Sequence, residues 1–281
     1  MLNRLPLPCA LVFALLAASA SAATVDGIPI HSSSTGNASR TIILVHGWTC
    51  DSTSWDAQVP ALSKDYRVIT LDLPGHGKSG APKDGKFTMA LFARAIEAVR
   101  AEARTDKVVL VGHSMGTPVI LAYTQLYPQH VAGLVAVDGP VVGPRPNGGA
   151  PGGATFQPPN MTGPEGLKAR EGMIRGMFVA TTPQAVQDKV LKMMLGAPEA
   201  TAAGAMQATF AWMATTDTTV RTFPVLGLYA DKSRAGNPEG SKTIYPAFEY
   251  TEIPGTGHFL MMEKPQEFNA RLSTFLAKVK Y

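Results

Sequence analysis

The chain has 281 residues, of which 45% are hydrophobic and 16% charged, and a formal net charge of +4. Its Lys and Arg are scattered without a run of five, which argues against a charge-built nucleic-acid surface. Two cysteines are too few for a disulfide-stapled scaffold, and the length suits one large α/β domain with an insertion.

Met1 to Arg4 carries one positive charge, Leu11 to Ala17 forms a short apolar core, and Ala18 to Ala23 offers small-residue cleavage sites. This is the pattern of a secretory signal peptide over residues 1–23, cut after Ala22 or Ala23. Pro6, Pro8 and the serines leave less than the roughly 20 unbroken apolar residues that a bilayer span needs, so no stable membrane insertion is expected. The mature protein would then be secreted or periplasmic. Cys50 would be its one cysteine, read as an inert packing thiol.

Val25 to His31, with Asp26-Gly27 as a turn, is expected to form a small antiparallel edge. Thr41 to Val45, Arg67 to Leu71, Lys107 to Val111, Ala132 to Val137, Val225 to Ala230 and Phe248 to Ile253 are short runs rich in Val, Ile and Leu. They read as buried parallel strands. Helical spacing over Ser54 to Lys64, Thr88 to Ala103, Met115 to Tyr127 and Pro265 to Val279 predicts crossover helices on both faces of the sheet. After Val137 the alternation breaks. Gly139 to Gly166 is crowded with glycine and proline, and apparent helices follow before the strand at Val225. The reading is a core over 24–138 and 223–281 interrupted by a helical cap over 139–222.

Seven of the twelve methionines lie between Met161 and Met213, together with Phe178, Phe210 and Trp212. Met173, Ile174, Met177 and Phe178 have i, i+3, i+4 spacing, which makes a packing face. Methionine also lines adaptable apolar pockets, so Met173, Met177, Phe178 and Trp212 are expected to contact substrate.

Gly112-His113-Ser114-Met115-Gly116 stands between a strand and a helix. A turn tight enough to lift a serine out of a sheet needs flanking residues without side chains, and the G-x-S-x-G pattern supplies them. Ser114 is therefore the candidate nucleophile. A serine hydroxyl needs a base oriented by a carboxylate. His258, in the glycine-rich loop Pro254 to Phe259 after the last strand, can swing an imidazole over the carboxyl edge of the sheet. Asp231 ends the strand Val225 to Ala230 and is the chosen acid; Asp138, ending the preceding strand, is its rival. Gly77-Lys78-Ser79 invites a phosphate-loop reading, but that pattern needs glycine where Asp72 stands. No metal-ligand spacing occurs, and no cofactor is expected.

With Ser114, Asp231 and His258 in that order, and with His46-Gly47-Trp48 and Asp72-Leu73-Pro74-Gly75-His76-Gly77-Lys78-Ser79 each following a strand, the chain resembles the α/β-hydrolase fold family. The resemblance implies a mostly parallel central sheet with helices on both faces and a helical cap inserted after the sixth strand. It also implies an oxyanion hole made by the backbone N–H groups of Trp48 and Met115. His46 is read as holding its loop rather than as a base, and the Trp48 side chain as either a pocket wall or a packed indole. At the acid the chain departs from the family: similar members often place Asp two residues further along, where this chain has Ser233.

The expected activity is carboxylic ester hydrolysis through an acyl-enzyme, on a largely apolar small molecule. Serine rather than aspartate as nucleophile argues against dehalogenation and epoxide opening. Cofactor-free haloperoxidase or perhydrolase chemistry and C–C bond hydrolysis use a similar triad and stay open. A catalytically weak ligand-binding receptor is a further alternative.

Overall fold

The computed structural model describes residues 23–141, 160–213, 217–231, 233 and 238–281. The expected signal segment, except Ala23, and most of the segment from Gly139 to Gly166 lie outside the described residues.

A hairpin comes first, with β1 (Thr24–Val25) paired to β2 (Ile28–Pro29) as a separate two-stranded sheet. Asp26 and Gly27 both have positive φ, as a tight hairpin turn with right-handed strand twist requires. The seven-stranded main sheet then contains β3 (Ser32–Thr35), β4 (Thr41–Val45), β5 (Arg67–Leu71), β6 (Val108–His113), β7 (Val131–Val137), β8 (Val225–Ala230) and β9 (Phe248–Ile253), in the order β3-β5-β4-β6-β7-β8-β9. Only β3 runs antiparallel, on β5. Its sequence, Ser-Ser-Ser-Thr, has no apolar alternation, and as a largely exposed edge it needs none, so hydrophobic patterning did not reveal it.

Every residue of β4, β6, β7 and β8 is buried. Successive strand side chains point to opposite faces, so both faces of the sheet are covered, and the continuous Val/Ile/Leu runs follow from that. α2 (Met89–Glu102) packs on α3 (Gly116–Leu126), while α9 (Pro265–Lys278) packs on α1 (Val59–Leu62) and α8 (Leu260–Glu263). The expected Ser54–Lys64 helix is shorter than its pattern, a 3₁₀ turn at Ser52–Trp55 followed by α1. For α2 the start is set by Thr88, whose Oγ1 accepts the Leu91 N–H at 3.0 Å.

Between β7 and β8 lie α4 (Gly163–Arg175), α5 (Gln184–Leu195) and α6 (Glu199–Met213). This insertion therefore follows the seventh strand in chain order, because the early segment contributes three short strands. Arg170, 1% exposed, binds the helices together. Its Nη2 donates to the carbonyls of Met194 and Ala197, each at 2.9 Å, where the C-terminus of α5 presents partial negative charge. The Trp48 indole N–H donates to Ala202 O at 2.8 Å and Thr201 Oγ1 to Gly75 O at 2.8 Å, so α6 rests on the loops after β4 and β5. A short α7 (Pro238–Lys242) precedes β9. Among the described residues, no helix is long and apolar enough to cross a membrane.

The parallel register aligns Val45 with Gly112, His113 with Val137, Val137 with Leu228 and Ala230 with Ile253. The carboxyl ends of β4, β6, β7, β8 and β9 thus form one edge, from which all the loops with candidate chemistry project.

Candidate active site

Ser114 follows β6 directly and has φ +52°, a left-handed conformation that L-residues seldom adopt. Its N–H donates to Val137 O at 2.9 Å, its C=O accepts from Thr117 N at 3.0 Å, and α3 begins two residues later. A Cβ on Gly112 would collide with the Gly116 carbonyl, and one on Gly116 would collide with the Val45 carbonyl. The turn therefore closes only with glycine at both places. The strain at Ser114 is held by these contacts, and such over-determined backbone clusters at functional sites.

His258 is reached from the far end of the chain. Its Nδ1 lies 2.6 Å from Asp138 Oδ2, and with only a carboxylate opposite, Nδ1 carries the proton and donates. That leaves Nε2 as the nitrogen able to take a proton. Its backbone N–H donates to Met177 O at 3.1 Å, and its C=O accepts from His113 Nε2 at 2.8 Å. The His113 and His258 rings sit 4.7 Å apart. Among the described residues no hydrogen bond joins the Ser114 hydroxyl to the imidazole. The two are brought to one rim through His113, which adjoins Ser114 in sequence and braces the His258 loop from below.

The acid differs from the expected one. Asp138, not Asp231, is the carboxylate beside His258. Asp138 follows β7 with φ +43°, a backbone that Asp tolerates better than most residues, and this turns its side chain along the sheet edge. Its Oδ1 accepts from Ala230 N at 3.0 Å. Burial alone would raise the Asp138 carboxyl. The hydrogen bond and charge of His258, the Ser233 hydroxyl and the Ala230 N–H outweigh it and hold the group below the usual carboxylate range. Asp231 is exposed, and among the described residues it accepts from Gly255 N alone, at 3.3 Å. Ser233, which stands where similar sequences often have the acid, here supports Asp138.

Gly47 lies so close to Ser114 that an added Cβ would stand 3.1 Å from Ser114 Cβ. This sets the Gly47-Trp48 peptide beside the serine. Among the described residues neither the Trp48 nor the Met115 backbone N–H has an acceptor, whereas Cys50 N is used on Gly47 O. His46 holds this loop: its Nδ1 donates to Gly47 O at 2.8 Å and its Nε2 accepts Leu73 N–H at 3.0 Å. Asp72 anchors the neighbouring loop through Ser52 N and Lys78 N. The Cys50 thiol is buried, and desolvation pushes its pKa far up, so it stays protonated and inert.

Of the expected substrate contacts, Trp48 is buried and spends its indole on α6, while Met173, Met177 and Phe178 are half-buried against the core. Phe178 lies 6.4 Å from Phe259, next to the candidate base. Trp212 is placed elsewhere. It lines a separate surface cavity of about 690 Å³ with Thr124, Gln125, Pro128 and Arg221, at the end of α3 away from Ser114. At 1.5 Å per residue, the 11-residue α3 carries the chain about 16 Å from its start beside Ser114 to its far end.

A family model described as alpha/beta hydrolase fold matches residues 40–265. The chain belongs to the alpha/beta hydrolase fold family. Among solved structures the chain is similar to a thermophilic esterase from Thermogutta terrifontis, at 26% identity and TM-score 0.74, covering 92% of this chain and 97% of that one. A bromoperoxidase from Bacillus anthracis shares the fold, at 24% identity and TM-score 0.74, over 89% and 96% of the two chains. Among curated proteins it is 28% identical over 246 residues to the dihydrolipoyllysine-residue acetyltransferase component of the acetoin cleaving system of Pseudomonas putida, covering 86% of this chain and 65% of that protein. It is 32% identical over 150 residues to a 2-hydroxy-6-oxononadienedioate/2-hydroxy-6-oxononatrienedioate hydrolase of Klebsiella pneumoniae, covering 52% and 48%. The chain thus spans less than two thirds of the length of these curated relatives.

The histidines give this site a pH dependence. Burial lowers the pKa values of His46 and His113 and takes that of His76 down to about 3. Each titrates near 6.5 once unfolded, so as pH falls from about 6.5 toward 3 the unfolded state binds more protons and the fold loses stability. Each group contributes up to about 1.4 kcal/mol per pH unit. Asp138, with its pKa lowered, loses its own contribution later, as pH falls through its depressed value. Urea midpoints should therefore drop between pH 7 and pH 4, ahead of most carboxylate titration; a flat profile there would contradict neutral buried imidazoles.

Proposed function

We propose that this protein is a serine hydrolase that cleaves a carboxylic ester of a largely apolar small molecule through an acyl-enzyme. The carrying observation is the single rim shared by a strained Ser114, a His258 with Nε2 available, and a buried Asp138 bound to Nδ1 at 2.6 Å. Ser114 attacks the carbonyl, His258 takes the proton and returns it to the leaving alcohol, and Asp138 keeps the tautomer and stabilises the imidazolium. The Trp48 and Met115 N–H groups receive the developing oxyanion; losing one such donor typically costs about 10²- to 10³-fold in rate. Phe178, against Phe259 beside His258, supplies an apolar border there, which supports an uncharged acyl group. We also infer export of the mature enzyme. Ala23 is buried and its carbonyl accepts Ile30 N–H at 2.8 Å, which favours cleavage after Ala22 over cleavage after Ala23.

Nitrophenyl esters of graded acyl length, lactones and small amides test this directly, with peracid formation from acetate and peroxide assayed in parallel. Ester turnover that peaks at one chain length is expected. Peracid formation without ester turnover would move the enzyme to perhydrolase chemistry, and tight binding with a single slow acylation would make it a receptor.

A further inference from the structure

His258 is held in place from the inserted helices as much as from the sheet. Glu263, at the end of α8, reaches back over its own turn: Oε2 accepts Gly257 N–H at 2.9 Å and Oε1 accepts Phe259 N–H at 3.2 Å, the two residues on either side of the histidine. The same Oε2 accepts the Thr182 hydroxyl at 3.0 Å, and Thr182 belongs to the connection between α4 and α5. That connection also supplies Met177 O to the His258 N–H at 3.1 Å and Thr181 Oγ1 to Gly255 O at 3.0 Å. It comes so near that a Cβ on Gly257 would stand 2.7 Å from Met177 O. Thr182 is itself pinned, 4% exposed, with its Oγ1 accepting Val179 N–H at 3.0 Å.

We propose that Glu263 is a positioning residue for His258, and that through it the α4–α5 connection sets where the imidazole stands. The proposal rests on the reading of His258 as the base. Four hydrogen bonds converge on residues 255–259 from Glu263 and the connection, and a fifth, from Thr182, ties Glu263 to that connection. A charged acceptor on backbone N–H groups holds them more firmly than a neutral one. Removing the carboxylate frees Gly257 and Phe259 together, so the loop between them gains freedom and the Nδ1–Asp138 alignment loosens. Misplacement of a catalytic group by about 1 Å can cost about 10²-fold in rate. The arrangement also makes the base sensitive to the inserted helices: a shift of the connection moves Met177 O and Thr182 together.

The test combines Glu263→Ala, Glu263→Gln and Thr182→Val, read by steady-state kinetics on a nitrophenyl ester and by the low-field NMR signal of the His258 Nδ1 proton. Glu263→Ala should lower kcat by about 10²-fold with KM changed by less than about threefold, because substrate contacts are untouched. Glu263→Gln keeps one acceptor oxygen and should fall between Ala and the native enzyme. Thr182→Val should cost less, and its effect should vanish in the Glu263→Ala background, since both act through one carboxylate. The Nδ1 proton signal should shift or broaden in the same order. A folded Glu263→Ala protein with native kcat and an unchanged signal overturns the proposal, as does full additivity of the two changes. Should Glu263→Ala not fold, Glu263→Gln decides on the same criteria. If the native protein lacks ester turnover, the proposed function fails while the NMR signal still tests the positioning.

Discussion

Ser114→Ala is expected to lower ester turnover by about 10⁶-fold, the scale on which a serine hydrolase loses rate with its nucleophile, while the protein stays folded. Both halves of this outcome follow from the turn. Alanine keeps the Cβ, so the cost of holding φ at +52° is unchanged, and the hydrogen bonds that close the turn are made by backbone N–H and C=O groups. Among the described residues the fold makes no use of the hydroxyl itself. Loss of the nitrophenolate burst, with native circular dichroism and a melting temperature within about 3 °C of the native protein, would meet the expectation; at about 4–8 °C per kcal/mol for small domains and less for larger ones, that margin covers the small packing change. Undiminished turnover by a folded variant would remove Ser114 from the mechanism and leave the buried, protonated Cys50 no better placed to replace it.

Asp138→Asn should cost on the order of 10⁴-fold in kcat, and Asp231→Asn less than about threefold. The 2.6 Å bond to Nδ1 requires a group that only accepts, and an asparagine amide can present either a donor or a neutral acceptor there. In the first case the imidazole takes the wrong tautomer, with Nε2 protonated and unable to act as base. In the second the tautomer survives, but the imidazolium formed during attack loses its counter-charge. Asparagine tolerates positive φ as aspartate does, so the backbone at +43° gives no reason for misfolding. Asp231 is exposed and among the described residues holds one long bond, to Gly255 N, so its charge can be lost with little effect on the site. The reverse ranking of kcat values would return the acid to the strand that ends at Ala230.

The acid shows where sequence reading stopped. Asp138 and Asp231 both follow buried strands that are neighbours in the sheet, and a carboxylate at either place could reach an imidazole over the edge. Strand position alone does not distinguish the two. The Asp138-Gly139 pair, directly after an all-apolar strand beside the nucleophile strand, was the available signal, because Asp before Gly favours a turn with positive φ. Trp212 misled for a related reason. Its helix belongs to the insertion, as patterning indicated, but α6 is apolar nearly all round and its sequence does not say which face meets the nucleophile. Glu263 carried no signal beyond being an acidic residue in a short helix.

From its sequence alone, this protein's alternating core, its insertion after Val137, the strained serine turn and the loop bearing His258 could be read. Those features rest on short-range physics: two-residue and 3.6-residue periodicity, and glycines where backbones approach closely. Only the tertiary structure decided which carboxylate meets His258, 120 residues away in the chain, what Trp48 spends its indole on, and that the inserted segment reaches His258. Such pairings depend on hydrogen bonds between segments far apart in the chain, which no local pattern of residues encodes.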